Sequence, residues 1–182
     1  RFHKTYPETI ERLRNKPNIL VRLIDFGKIA GGIQHAKYFI VDGESAFLGS
    51  QNFDWRSLRH IHELGIRMNN ESAVRVYLDI FELDWKLAES NERKSIPAHL
   101  TTGEYDVPYR SVEGADTIVF TPTCSPLGLI VDSTLWDESN IVRLIDGAQK
   151  EVSLQFLAYD TRSRDRSDHL VLDDALRRAA DR

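Results

Sequence analysis

The stretch His35–Asn52, HAKYFIVDGESAFLGSQN, decides how this chain is read. Its first seven residues are mostly apolar and β-prone around one histidine and one lysine, which predicts a strand over 35–41. Side chains alternate faces along a strand, so His35 and Lys37 point the same way. A nucleophile and a cation on one face make a candidate phosphate site. Asp42-Gly43 is a strong hairpin signal, and Ser45–Gly49 reads as the returning strand.

Upstream, residues 5–15 (TYPETIERLRN) predict a short helix, with Thr5 as cap, Pro7 in the first turn, and Ile10 and Leu13 on one face. Ile19–Ile24 is apolar and β-branched apart from Arg22 and reads as a buried strand. The loop Gly27–Gly32 has no Walker or Rossmann pattern and is no nucleotide cradle. Downstream, Gln51–Leu58 predicts a short helix capped by Asp54. Glu63–Met68 alternates as a strand, with Leu64, Ile66 and Met68 toward the core and Glu63 and Arg67 away from it. Asn70 and Glu71 open a helix whose apolar face is Val74, Tyr77, Leu78, Phe81, Trp85 and Ala88.

The character changes at Glu89. From there to about Asp137 the chain holds Pro97, Pro108, Pro122 and Pro126 with many Ser, Thr and Gly residues, and only Thr117–Phe120 looks like a strand. Loops this long inside one compact domain are unusual, so 91–137 reads as an inter-domain linker. Order resumes with a helix bearing Ile141, Val142, Leu144, Ile145 and Ala148. An alternating strand over Val152–Ala158, a charged loop with Arg162, Arg164 and Arg166, and a final helix over Leu170–Ala180 follow. The expected division is 1–90, a linker over 91–137, and a new α/β unit over 138–182.

Composition sets the bounds. With 182 residues, 41% hydrophobic and 29% charged, the chain can build a real core. No apolar run approaches the ~20 residues of a membrane span and no signal peptide stands in these residues, which leaves the compartment open. The single cysteine, Cys124, excludes an internal disulfide and a cysteine-based metal site. A net charge of −4 gives no global basic field for nucleic acid.

The pattern H-x-K, four residues, D, six residues, G-S-x-N is met by His35, Lys37, Asp42, Gly49, Ser50 and Asn52. It closely resembles the HKD motif of the phospholipase D superfamily. The segments NFDWRSL (52–58), ELG (63–65), IFELDW (80–85), Ser95-Ile96-Pro97, Ser125-Pro126 and LIDGAQKEVSLQFLAYD (144–160) are similar to one branch of it. That branch contains lysosomal single-strand 5′-exonucleases and bacterial relatives.

The resemblance implies an α/β, phospholipase D-like fold, a mixed sheet flanked by helices. It further implies a partial chain that covers the second half of one repeat and the first half of the next. Members of the family carry two HKD motifs, from two repeats or two subunits. One is present here, so a second is expected from the rest of the polypeptide or from a homodimer partner.

The residue types suit phosphodiester cleavage. A neutral imidazole can attack phosphorus and form a phosphohistidine, splitting one displacement into two easier ones. Lys37, Ser50 and Asn52 can hold the non-bridging oxygens where charge accumulates. A second histidine must protonate the leaving oxygen and then activate water, help typically worth ~10²–10⁴-fold. No cofactor or metal is called for, because cationic side chains do the neutralising. His60 and His62 show no metal spacing.

The resemblance also implies that a carboxylate after the motif, here Glu63, orients His35 through its other ring nitrogen. Asp42 faces away from His35 by parity and reads as a brace for the turn, with Gly49 a structural member of the motif. Trp55, Trp85 and Trp136 read as core, and the arginine loop as solvated. Whether His35 is nucleophile or general acid stays open, as does single-stranded nucleic acid against phospholipid, and water against an alcohol as acceptor. The alternative class is a non-catalytic phosphate-binding or scaffold chain.

Overall fold

A computed structural model describes residues 6–163 and 165–182. Thr5 and Arg164 therefore lie outside the described residues. The central element is an antiparallel meander of three strands, β1 (Tyr38–Val41), β2 (Ser45–Gly49) and β3 (Gly65–Met68), in the order β1-β2-β3. Val41 pairs with Ser45 and Tyr38 with Leu48 across the hairpin. The Glu44 amide donates to the Val41 carbonyl at 3.0 Å. Asp42 and Gly43 take φ of 56° and 72°, the twist of a type I′ turn, which Asp and Gly tolerate best. Register then alternates the two faces. Tyr38, Ile40, Ala46, Leu48 and Met68 turn inward, while Phe39, Phe47 and Phe53 cluster on the opposite face, with Phe39 and Phe47 stacked at 5.3 Å.

The helices are α1 (Pro7–Arg14), α2 (Phe26–Ala30), α3 (Glu71–Ser90), α4 (Asp137–Asp146) and α5 (Val171–Ala180). Helix α3 starts where Asn70 accepts from the Ala73 amide at 3.0 Å, and it ends at Asn91 in the left-handed region. Its buried residues differ from the expected stripe. Ala73, Val74, Val76, Tyr77, Leu83 and Leu87 are buried, whereas Phe81 is exposed and stacks on Trp85.

The reason is that α3 is covered on two flanks. Val74 and Tyr77 meet the sheet through Ala46. Val76, Leu83 and Leu87 meet Phe26 and Ile29 of α2 and Leu129, Val131 and Leu135. Each such side chain contributes ~1.5–3 kcal/mol by leaving water. The stretch 91–137 also forms a second hairpin, β4 (Tyr109–Glu113) with β5 (Asp116–Phe120).

Other expectations differ locally. Ile19–Ile24 and Val152–Ala158 belong to no strand ladder, since pattern alone supplies no partner strand. Phe156 and Leu157 stand exposed. Gln51–Leu58 forms turns rather than a helix, although Asp54 accepts from the Arg56 and Ser57 amides at 2.9 Å each, as a cap would. Of the tryptophans, Trp55 is 65% exposed and none is among the buried core. Helices α4 and α5 are joined by Arg178, which makes two hydrogen bonds to Asp146 at 3.0 and 2.8 Å.

Candidate active site

Strand β1 begins at Tyr38, three residues after His35, yet the Gly49 amide still donates to the Lys37 carbonyl at 3.1 Å. The hairpin thus reaches back to Lys37 and fixes it beside the end of β2. Lys37 Nζ lies 2.9 Å from each ring nitrogen of His35. An ammonium has only donors, so it can donate to whichever ring nitrogen carries a lone pair. Burial pushes the Lys37 pKa down from the usual lysine range, and the negative charge of Glu63 opposes that shift.

Ser50 and Glu63 are brought together by the β2–β3 pairing. The Ser50 amide donates to the Leu64 carbonyl at 2.9 Å, and Ser50 Oγ donates to Glu63 Oε2 at 2.5 Å. The Leu64 amide in turn donates to Ser50 Oγ at 3.1 Å. The carboxylate of Glu63 is therefore held by Ser50, and the ring of His35 by Lys37. Gly49 is required by this close crossing: a Cβ there would sit 2.8 Å from the Leu64 carbonyl oxygen and against the Gln51 side chain.

His35, Lys37, Gly49 and Ser50 line a cleft of about 660 Å³. Its far walls are Tyr77 and Asp84 of α3, Thr123, Cys124 and Ser125, and Asp137 at the start of α4. Asn52 and Glu63 are not in that lining, and Asn52 is exposed beyond β2. Asp42 sits at the hairpin tip, away from the cleft. Burial drives the Cys124 thiol up to about 12, so it stays protonated and is no nucleophile at neutral pH. Among the described residues no cluster of histidine, cysteine and carboxylate groups is arranged to hold a metal.

Two cleft residues escaped the reading of the sequence. Gln34 Nε2 donates to Asp84 Oδ2 at 2.6 Å, and Gln34 Oε1 accepts from the Ala36 amide at 3.0 Å. Burial raises the Asp84 carboxyl to about 6, against the Gln34 bond that lowers it. The available signal was a charge beside Leu83 on a helix covered on two flanks.

A family model described as a cardiolipin synthase, PLD-like domain matches residues 3–85, the segment that contains the whole constellation. The chain belongs to the phospholipase D superfamily. It is similar to the 5′-3′ exonuclease PLD3 of Xenopus tropicalis, at 32% identity over 143 residues, 76% of this chain and 29% of that protein. The Bos taurus 5′-3′ exonuclease PLD3 is 30% identical over 171 residues, 88% of this chain and 34% of its own. A virion nicking-joining enzyme of vaccinia virus (strain Western Reserve) is 42% identical over 83 residues, 45% of this chain and 19% of that enzyme. The chain spans about a third of the length of the exonuclease relatives and less of the viral phospholipase D relative.

Proposed function

We propose that this chain carries one half-site of a phospholipase D-type phosphodiesterase, with His35 at the reacting centre. The observation that carries the reading is the Lys37 ammonium held 2.9 Å from the His35 ring nitrogens in the lining of a cleft. With His35 as nucleophile, an unprotonated ring nitrogen attacks phosphorus and the bond to the leaving oxygen breaks. That oxygen takes its proton from the second histidine. Water then attacks the phosphohistidine, gives its proton back to that second histidine, and releases His35. With His35 as the general acid, the two histidines exchange these parts.

Lys37, Ser50 and Asn52 bind the non-bridging oxygens. An incoming phosphate competes with the imidazole for the Lys37 ammonium and frees the ring. Glu63 holds Ser50 in the resting state, and once the ring has left Lys37 its carboxylate can take up the orienting part as well. The second HKD motif comes from the remainder of the polypeptide or from a second copy, and residues 138–182 open the second repeat. The activities for which the relatives are named, 5′-3′ exonuclease and nicking-joining enzyme, favour a nucleic-acid phosphodiester over a phospholipid.

The test is hydrolysis of bis(p-nitrophenyl) phosphate in the presence of EDTA. Single-stranded DNA with a 5′-hydroxyl and phosphatidylcholine vesicles serve as the two competing natural classes. His35→Ala is expected to lower turnover by roughly 10³-fold or more while the fold persists. Unchanged turnover in His35→Ala removes the reading.

A further inference from the structure

We propose that Asp84, acting through the Gln34 amide, is a positioning residue for the His35–Lys37 segment. The proposal rests on the phosphodiesterase reading for its functional consequence, but the tie itself is structural. His35 and Lys37 lie before the first paired residue of β1, so the meander alone restrains them only through the Gly49–Lys37 bond. The residue between them is Ala36, and its amide donates to Gln34 Oε1 at 3.0 Å. The other end of the same Gln34 amide donates to Asp84 Oδ2 at 2.6 Å. One planar group thus links the motif backbone to the most firmly packed helix, one residue from the buried Leu83.

The link is short and charge-assisted when Asp84 is ionised, which makes it about twice as strong as a neutral pair. Asp84 is drawn toward protonation near pH 6 by burial, so the strength of the link changes within the working range of an imidazole. The groups that face Asp84 are Tyr38 from β1, Cys124 from the stretch before α4, and Gln34 itself. Tyr77, Asp137, His35 and Lys37 share the cleft with it. Of these, Lys37 is the cation.

The variants Asp84→Ala, Gln34→Ala and Asp84→Asn separate the roles. Gln34 is exposed, so Gln34→Ala tests the tie even if Asp84→Ala fails to fold. Two quantities are read in each. One is the hydrogen-exchange rate of the Ala36 amide by NMR. The other is kcat and KM for bis(p-nitrophenyl) phosphate from pH 5 to 8.

Asp84→Ala and Gln34→Ala are expected to speed Ala36 exchange and to lower kcat about 10-fold with KM nearly constant, because they misplace the reacting groups rather than remove a substrate contact. Asp84→Asn still accepts from Gln34 but carries no charge. It is expected to fall between wild type and Asp84→Ala and to lose the inflection that Asp84 adds to kcat near pH 6. Unchanged Ala36 exchange in both alanine variants overturns the proposal, as does faster exchange with unchanged kcat in a chain that turns over. If a polypeptide that supplies both motifs does not turn over, the phosphodiesterase reading fails by itself. The exchange measurement then still supports or overturns the tie.

Discussion

At the scale of single residues, the proposed half-site would work by competition for one ammonium. Lys37 is held by His35 and partly desolvated, with Glu63 favouring its charged form. On the proposed mechanism, a phosphate that takes this cation is bound and, in the same event, uncovers the imidazole. Lys37→Ala should therefore lower kcat/KM by about 10²–10³-fold, with most of the loss in kcat, because the charge it meets is largest in the transition state. Steady-state kinetics on the chromogenic diester check this.

Gly49 makes a separate residue-scale prediction. A methyl group there meets the Leu64 carbonyl oxygen at 2.8 Å, and the β2–β3 crossing cannot open without loosening the Ser50–Glu63 pair. Gly49→Ala should cost about 1–3 kcal/mol, measured by urea unfolding. That His35, Lys37 and Ser50 share one cleft was legible because the motif's spacing is written in a single hairpin, whereas Asn52 lies outside that lining. Gln34 and Asp84 were not, because their contact joins residues 34 and 84 and no local pattern reports it.

At the scale of elements, α3 shows why periodicity can find a helix and still misplace its core face. The residues Val74, Tyr77, Phe81 and Trp85 do fall on one stripe, yet Phe81 and Trp85 stack on each other, and the Arg22 guanidinium lies 4.3 Å over the Trp85 ring. The real core face is set by what covers the helix, and half of that cover comes from a stretch whose prolines read as a connection.

Asp84 on this helix also makes stability depend on pH, with a definite sign. Its folded pKa of about 6 lies above the ordinary carboxyl value of 3.8, so the folded chain binds more protons between these two pH values. Stability contributed by Asp84 is then complete below about pH 4 and is lost as pH rises through 6. Asp84→Asn should be more stable than wild type at pH 7 by at most about 3 kcal/mol, with the difference shrinking toward pH 4. Urea melts at pH 4, 5, 6 and 7 check the trend.

At the scale of the whole molecule, the stretch 91–137 supplies Leu129, Val131 and Leu135 to the same cluster as Leu83 and Leu87. Leu135→Ala should therefore destabilise the chain as Leu83→Ala does, by about 2–5 kcal/mol. Both should shift one cooperative transition followed by circular dichroism. An α/β architecture was legible from the alternation of strand and helix patterns, and the hairpin was legible to the residue at Asp42-Gly43. The pairing of β4 with β5 was half legible, since only β5 had an apolar run.

The meander has one more consequence. His35, Lys37, Gly49, Ser50 and Glu63 are gathered by neighbouring turns, with no distant chain crossing between them. Contacts of such short sequence separation close quickly, ahead of the packing of 121–137 on α3. The corner that holds the candidate site is thus a fast-folding cassette, whereas the cleft wall opposite it must wait for a contact between residues some fifty apart. During synthesis this corner would be assembled before the groove that faces it.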